Sequence, residues 1–274
     1  MSRPFHGARP VRRSRLAAPL LAIATTFGFG STAALSADLA VKAPPEPTYQ
    51  WAGCYVGGNI GAGASGSNFG STVDPGSYLG AGDAATVSGS GGGSYNAYGL
   101  VGGGQAGCNW QHGTLVLGLE GDFDTFHSNP NFNNNTNTLA SGAAFSVAQS
   151  LTTNFLATVR PRIGIAADRN FAYITAGAAF TSVSYTETYS DTNPAPGPGA
   201  GSASASKALV GWSAGAGWEY ALADHWTVRA EYLIAGFPTT NALGAITAPG
   251  GANTLHGSAD LLVQLVRAGV NFKF

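Results

Sequence analysis

The feature that most constrains the fold of this chain is a two-residue alternation of small or apolar residues with polar ones. The alternation runs through eight segments of ten or more residues each. Successive side chains of a β-strand point to opposite faces of a sheet, so each segment predicts a strand with one uncharged face. The predicted strands are 54–63, 98–111, 114–125, 151–167, 170–184, 207–222, 225–235 and 261–274.

The second face of these predicted strands is polar and carries charges of both signs. We assign five acidic and five basic residues to it, namely Glu120, Asp122, Asp124, Glu219, Glu231, Arg160, Arg162, Arg229, Arg267 and Lys273. Such a pattern fits a membrane barrel with a polar interior. It also fits a soluble sheet with a polar exterior, because alternation alone does not say which face lies inside.

The amino terminus distinguishes between these two folds, because it has the layout of a secretory signal peptide. Five arginines precede an apolar run at 16–29, and small residues fill 31–37. We predict a signal peptide at 1–37 and a proline-rich periplasmic tether at 38–50. Cleavage after Ala37 removes five of the 13 basic residues and none of the 14 acidic ones, which leaves a net charge of −6. An acidic exported chain is not expected to bind nucleic acid.

Composition and connection lengths favour a membrane barrel over 51–274. Only 10% of the residues are charged, whereas ordinary globular domains have about 25%. Beyond the signal, no apolar run approaches the roughly 20 residues of a membrane helix, so a closed barrel is the remaining way to span a bilayer. Tight turns alternate with long connections rich in Gly, Ser and Asn, which are 64–97, 127–150, 185–206 and 237–259.

We therefore predict an all-β fold, an eight-stranded antiparallel up-and-down transmembrane β-barrel in the cell outer membrane. The tight turns and both ends of the barrel would lie in the periplasm, and the long connections outside. We expect a monomer whose surroundings are outer-membrane lipid and lipopolysaccharide.

Aromatic residues on the uncharged face form two groups, as expected for girdles at the two membrane interfaces. The group near the tight turns is Trp110, Trp218, Tyr220, Trp226, Phe272 and Phe274, and the group near the long connections is Phe123, Phe155, Phe180, Trp212 and Tyr232. Packing in a protein core is the simpler alternative, but it does not require two bands.

The chain ends in an alternating segment, 270–274, that closes on an aromatic residue. Phe272 and Phe274 resemble the terminal-strand signal by which the outer-membrane barrel assembly machinery recognises its substrates. We therefore predict that these two residues form the assembly signal and that this machinery is a partner.

Four segments resemble the small porin-like, opacity-type barrel proteins of alphaproteobacteria, namely 51–59, 102–107, 159–164 and 267–274. The resemblance covers the chain from the end of the predicted signal to its last residue. It implies an eight-stranded barrel that is an abundant surface protein, to which pore activity is often assigned. Pro161 stands where these proteins usually have glycine. Because proline cannot donate to a strand ladder and a closed barrel has no edge, we expect a β-bulge there.

Cys54 and Cys108 are the only cysteines, in a chain predicted to enter an oxidising compartment. If 51–64 and 98–111 pair as a hairpin with Trp51 opposite Gln111, the two cysteines lie opposite each other on one face. We predict a disulfide. The alternative is that they are two small apolar residues facing lipid.

Gly102, Gly104 and Gly107 have the G-x-G-x-x-G spacing of dinucleotide-binding loops. Such a loop must open a helix whose amino terminus meets the pyrophosphate, whereas here the strand alternation continues into a tight turn. We expect no nucleotide, cofactor or metal site. We expect the glycines instead to leave room in a narrow lumen for Arg160 and Arg162.

Three functions are compatible with this barrel. The first is a structural or surface role with the lumen charges paired, which we favour because eight strands enclose an interior that side chains just fill. The second is a narrow porin for small hydrophilic solutes. The third is a lipid hydrolase at the outer rim, but a nucleophile is recognised by geometry and not by sequence proximity, so we predict no enzyme activity. The rim residues considered are His127, Ser128, His256 and Ser258, with Asp124 or Asp260.

Overall fold

A computed structural model describes residues 49–134 and 137–274. The predicted signal peptide and most of the predicted tether lie outside the described residues, so both remain predictions. Within the described residues, no helix has the length and apolar character needed to cross a membrane.

The described chain is nearly all β, with one short helix. The strands are β1 (Gly53–Val73), β2 (Gly93–His112), β3 (Leu115–Ser128), β4 (Asn131–Asn133), β5 (Asn137–Thr138), β6 (Ala144–Ala167), β7 (Asn170–Asp191), β8 (Ala200–Ala221), β9 (Trp226–Ala248) and β10 (Gly251–Lys273), and the helix α1 is Ala81–Ser90.

The eight long strands form a closed ring in which every pair is antiparallel. Each long strand pairs with the next long strand along the chain, and β10 returns to pair with β1 from Tyr55 opposite Lys273 to Val73 opposite Leu255. The short strands β4 and β5 pair with β6 beyond the end of β3. The predicted eight-stranded up-and-down barrel is therefore confirmed.

The strands are on average about one and a half times as long as predicted, and they extend at the end away from the chain termini. The tight turns lie where expected, at 113–114, 168–169 and 222–225, with positive φ at Gly113 and Asp168. At the opposite end, however, most of three of the four long connections is strand, and the connection 64–97 contains strand at both ends with α1 between them. Sequence composition was misleading because Gly and Ser fill the outward positions of these extensions, while their inward positions are mostly apolar and pack together.

The β-bulge predicted at Pro161 is wrong. Val159 lies opposite Ala178 and Arg162 opposite Thr175, so the register between β6 and β7 is the same on both sides of the proline. The ladder between β6 and β7 has no pair at Pro161. The Thr175 hydroxyl donates instead to the Pro161 carbonyl oxygen over 2.8 Å. The missing N–H is thus accommodated without an inserted residue.

Register shifts occur instead at one level nearer the outer end of the barrel. One falls between Thr153 and Ala157 of β6, and another lies on β9 opposite the Ala259–Leu261 step of β10. β-Bulges are common at barrel rims, where they increase local twist. Here they separate the part of the ring that carries lumen charges from its outer extension.

Candidate functional site: the filled interior of the barrel

The outward face of the charge-bearing part is apolar and exposed. Leu100 is 80% exposed, Ile60 68% and Ile174 63%. On β3 the exposed band runs from Leu115 to Phe123, nine residues, which is the length that a tilted strand needs to cross a bilayer. This surface would be unfavourable in water and is stable in lipid.

Aromatic residues border this band at both ends, as predicted. Near the tight turns, Trp110 is 63% exposed and Trp218 is 46% exposed. Near the outer end, Phe123 stacks on Phe155 with ring centroids 5.5 Å apart, and Trp212 is 53% exposed. Rings that stay exposed in two bands fit membrane girdles and not a core.

Arg267, from the terminal strand β10, lies at the centre of the buried charges. Its side chain contacts three carboxylates: Glu231 at 2.6 Å, Asp122 at 3.1 Å and Asp124. The arginine is 1% exposed. Buried charges are stable only when opposite charges and hydrogen bonds compensate for lost hydration, and here β3, β9 and β10 supply both.

The other three lumen arginines also contact at least two carboxylates each. Arg160 contacts Asp122 at 2.7 Å, Glu120 at 3.1 Å and Glu231 at 3.2 Å. The contacts of Arg162 are Glu219 at 2.8 Å and Glu120 at 3.4 Å, and those of Arg229 are Glu120 at 2.6 Å and Glu231 at 3.5 Å.

Lys273 is not part of this group, although we had assigned it to the lumen network. Its ammonium donates to the Gln50 carbonyl oxygen and lies 4.3 Å from the centre of the Tyr49 ring. The reason is its place one residue from the chain end, at the level of the tight turns. The buried cluster therefore contains five carboxylates and four arginines.

Neutral side chains complete the cluster, and sequence analysis missed several of them. The hydroxyls of Tyr55 and Tyr173 donate to Glu120 and Glu231, and that of Thr158 donates to Asp122 over 2.7 Å. All three are inward by parity, so alternation could have identified them. The prediction from the sequence included only the charged residues of the inward face.

An aromatic layer closes the barrel at the end nearest the tight turns. Trp51 is 2% exposed and packs against Phe171 at 5.1 Å between ring centroids. Its indole N–H donates to the Asp168 carbonyl oxygen over 3.0 Å, and its backbone N–H donates to the Gln111 side chain over 2.6 Å. Tyr49 packs edge-on against Trp51. The residues just before β1 thus seal this mouth.

The outer extension has an apolar interior, which sequence analysis did not anticipate. Phe126, Leu151, Leu255 and Ile246 are fully buried there. The helix α1 packs Ala84 and Val87 onto this layer at the outer mouth. From one mouth to the other, the interior is aromatic, then charged, then apolar.

Glycines allow the long side chains to fit, but at positions other than those predicted. Gly102 and Gly104 face outward, and a Cβ there would meet only a backbone oxygen at 3.5–3.6 Å. At Gly118 and Gly177, by contrast, an added Cβ would lie about 3.0 Å from the side chains of Arg162 and Arg160. These two glycines leave room for Arg162 and Arg160, whereas the third predicted glycine, Gly107, leaves room for the Tyr55 side chain.

The predicted disulfide between Cys54 and Cys108 is confirmed. The two residues lie directly opposite each other in the β1–β2 ladder. The bond joins the first two strands near the aromatic layer.

Phe272 and Phe274 lie on the outward face at the inner girdle. Phe272 packs against Trp226, with ring centroids 5.2 Å apart, and Phe274 is 70% exposed. The backbone N–H of Phe274 donates to the Cys54 carbonyl oxygen, which anchors the chain end to β1.

The residues considered for a hydrolase do not form a catalytic constellation. His127 bonds Asn154 on the outward face, whereas Ser128 is buried and bonds Ser65. His256 bonds Asp74 at 2.9 Å, while the Ser258 hydroxyl donates to a backbone oxygen.

The remaining members of that set are also occupied elsewhere. Asp124 bonds Arg267 in the lumen, and Asp260 accepts hydrogen bonds from Asn68. Among the described residues, no group of three or more His, Cys, Asp or Glu side chains could hold a metal ion.

A closed antiparallel ring with an exposed apolar band, two aromatic girdles and inward charges is a transmembrane β-barrel. The chain belongs to the family described as Outer membrane protein beta-barrel domain, which matches residues 27–274. Its place is therefore the outer membrane, as predicted.

Two relatives from Brucella support this assignment. The chain is 32% identical to the 31 kDa outer-membrane immunogenic protein of Brucella melitensis over 264 residues, covering 93% of this chain and 98% of the relative. It is 26% identical to the 25 kDa outer-membrane immunogenic protein of Brucella abortus over 257 residues, covering 89% of this chain and 92% of the relative.

Among solved structures, the outer membrane protease OmpT of Escherichia coli aligns with 83% of this chain and 98% of its own, at 9% identity and a TM-score of 0.39.

Proposed function

We propose that this protein is a structural and surface barrel with a sealed interior, which displays a rigid extension outside the cell and does not act as a pore. The observation that carries the proposal is the succession of three filled layers along the barrel axis. A solute would have to displace Trp51, then the arginine–carboxylate cluster, then the apolar core beneath α1.

The charged layer supports a seal because its side chains are occupied by one another. The four arginines and Glu120, Asp122, Asp124, Glu219 and Glu231 are each at most 6% exposed. A hydrated pore would instead leave wall charges in contact with water. Opening this layer would break several buried ion pairs, and losing one partner of such a pair typically costs about 3–5 kcal/mol.

The outer extension supports a surface role. Seven of the eight long strands have 20 to 24 residues, about twice the length that the bilayer requires, so roughly half of each of these seven lies beyond the apolar band. The related Brucella proteins are named as immunogenic. By analogy with an immunogenic protein, the outer half of this chain would be displayed at the cell surface.

Electrical recording of the purified, folded protein in a planar bilayer tests the proposal against a narrow porin. We expect no step-like openings under conditions where a general porin, added to the same bilayer as a control, conducts. The Tyr49→Ala/Trp51→Ala variant should also stay closed, because the charged and apolar layers remain. Reproducible, long-lived openings of the wild type would overturn the seal and establish the porin.

A further inference from the structure

The outward face of the outer extension carries a regular array of hydroxyl groups on three adjacent strands. We call this array the hydroxyl lattice. It has twelve outward positions on β6, β7 and β8, of which ten are Ser or Thr and two are Ala, with no charged residue. The positions are Ser146, Ala148, Ser150, Thr152, Ser184, Thr186, Thr188, Ser190, Ala200, Ser202, Ser204 and Ser206.

Strand register aligns these residues into four rows of three. One row is Ser150, Thr186 and Ser204, and the next is Ala148, Thr188 and Ser202. Neighbouring strands lie about 4.8 Å apart, and outward residues repeat about every 6.6 Å along a strand. The lattice is therefore a nearly regular grid of hydroxyls.

Many of these hydroxyls remain available for a partner. Ser184 and Ser206 share one hydrogen bond of 3.2 Å, which leaves further donor or acceptor capacity on each oxygen. The hydroxyls of Thr186, Ser202 and Ser204 bond to no other side chain or backbone group of the described chain.

The lattice continues directly from the membrane-facing surface. The outer girdle residues Phe155, Phe180 and Trp212 belong to the same three strands. Ser184 follows Phe180 by four residues and Ser190 by ten, so the lattice rises from about 10 to about 25 Å above the girdle for strands tilted by roughly 40°. The headgroup region of an ordinary bilayer adds only about 5–7 Å on each side, so most of the lattice stands at a height that only a larger headgroup, such as a saccharide, would reach.

Its composition distinguishes the lattice from a surface built for water or for another protein. Soluble surfaces typically have about 25–35% charged residues, and protein interfaces are enriched in aromatic residues, Met and Arg. The lattice positions include no charged residue, no aromatic residue and no Met. On the opposite side of the ring, the corresponding outward faces of β1 and β10 include His256 and Asp260.

We propose that the hydroxyl lattice is a docking surface for the saccharide of the lipopolysaccharide that surrounds the barrel in the outer leaflet. A hydroxyl both donates and accepts hydrogen bonds, so Ser and Thr complement sugar hydroxyls in any orientation. The lipid phosphates are a different target that would need cations. Within the described residues, Lys207 is the one Lys or Arg that lies beyond the charged layer on the outer side, and it is not a lattice position.

Thermal unfolding in defined vesicles tests this proposal. The wild type is inserted into vesicles with full-core lipopolysaccharide, with lipopolysaccharide truncated to lipid A, or with phospholipid alone. The midpoint is followed by β-sheet circular dichroism. We expect full-core lipopolysaccharide to raise the midpoint by about 3 °C or more over lipid A, because a ligand of the folded state stabilises it.

Two variants with the same number and type of substitutions locate the effect. Ser184→Ala/Thr186→Val/Thr188→Val alters the central strand of the lattice, and Ser258→Ala/Thr72→Val/Thr254→Val alters outward hydroxyls on β1 and β10. The lattice variant should lose the difference between full-core lipopolysaccharide and lipid A, and the control variant should keep it.

Several outcomes would overturn the proposal. If the wild type unfolds at the same midpoint with full-core lipopolysaccharide as with lipid A, the proposal is wrong. This result does not depend on whether either variant folds. If stabilisation appears with lipid A alone, the phosphates or acyl chains are the contact. If both variants lose the effect equally, it does not belong to the lattice.

Discussion

At the scale of single residues, the barrel interior depends on compensation between buried charges. Four arginines face five carboxylates, and each arginine contacts at least two of them. Removing one arginine therefore takes a buried cation away from two or three carboxylates at once, and removing Arg267 leaves Asp124 without an ion pair. The cost of such a change is much larger than the net contribution of an exposed ion pair.

Arg267→Ala should lower the free energy of unfolding by about 3–5 kcal/mol. The physical reason is that Asp122, Asp124 and Glu231 would lose their shared cation. Equilibrium unfolding by denaturant in lipid vesicles measures the change. Lys207→Ala, which removes an exposed base outside the cluster, is the control and should have little effect. Equal stability of the two variants would show that the cluster is not a unit of stability.

Glu187 is a buried carboxyl in the apolar outer extension. It is fully buried, its Oε1 has no hydrogen-bond partner, and its Oε2 accepts from Tyr185 over 3.1 Å. Burial raises the pKa of Glu187 above its ordinary value of 4.5, because the low-dielectric surroundings disfavour the charged form.

We expect the contribution of Glu187 to stability to fall as the pH rises above about 4.5. The unfolded chain ionises there while the folded chain still holds the proton, and the loss ends once the pH exceeds the raised pKa. Glu187→Gln keeps the shape and removes the ionisation, so its unfolding midpoint should exceed that of the wild type at pH 8 and lie close to it at pH 4. If the two proteins differ equally at both pH values, ionisation of Glu187 is not the cause.

At the scale of secondary-structure elements, the sequence predicted the inner half of each strand well and the outer half poorly. The inner half was predictable because its charged residues occupy alternate positions along each strand and so mark one face of the sheet. In β7, the outward residues from Ser182 to Ser190 are Ser and Thr, a composition typical of loops, although the inward residues Val183, Tyr185 and Tyr189 are core residues. The helix α1 has only two buried residues, Ala84 and Val87, too few for a clear helical period.

The terminal strand β10 carries the prediction about assembly. Phe272→Asp/Phe274→Asp should prevent accumulation of folded protein in the outer membrane while synthesis and export continue. The physical cost of a charge near the interface is small, about 0–1 kcal/mol, so a strong defect would reflect lost recognition by the assembly machinery. The heat-modifiable gel shift of membrane fractions measures the folded barrel.

Trp218→Asp is the matched control for this prediction, because it places a charge in the same inner girdle but on β8. It should assemble in nearly normal amounts. Normal assembly of the Phe272→Asp/Phe274→Asp variant would refute the signal. An equal defect in both variants would trace the failure to the girdle and not to the chain end.

At the scale of the whole molecule, the ring has two parts with different interiors and different surroundings. The inner part has charges inside and apolar residues outside, whereas the outer part has an apolar interior and a polar exterior. Seven of the eight long strands run through both parts, and beyond the end of β3 the short strands β4 and β5 pair with β6. The outer part therefore has an interior like that of a soluble β-barrel. Its hydrogen-bonded strands should resist opening in a way that loops would not.

Limited digestion of intact cells with proteinase K tests this continuity. Because proteases cut segments that open locally, cleavage should be confined to the connections outside the strands, chiefly 74–80 and 192–199. Mass analysis of the fragments locates the cuts, and protein denatured by heat before digestion is the control, which should be cut throughout. Cuts spread through 64–73 and 200–206 on intact cells would show that these segments behave as the loops that composition suggested, and the outer part would then not be a folded extension of the barrel.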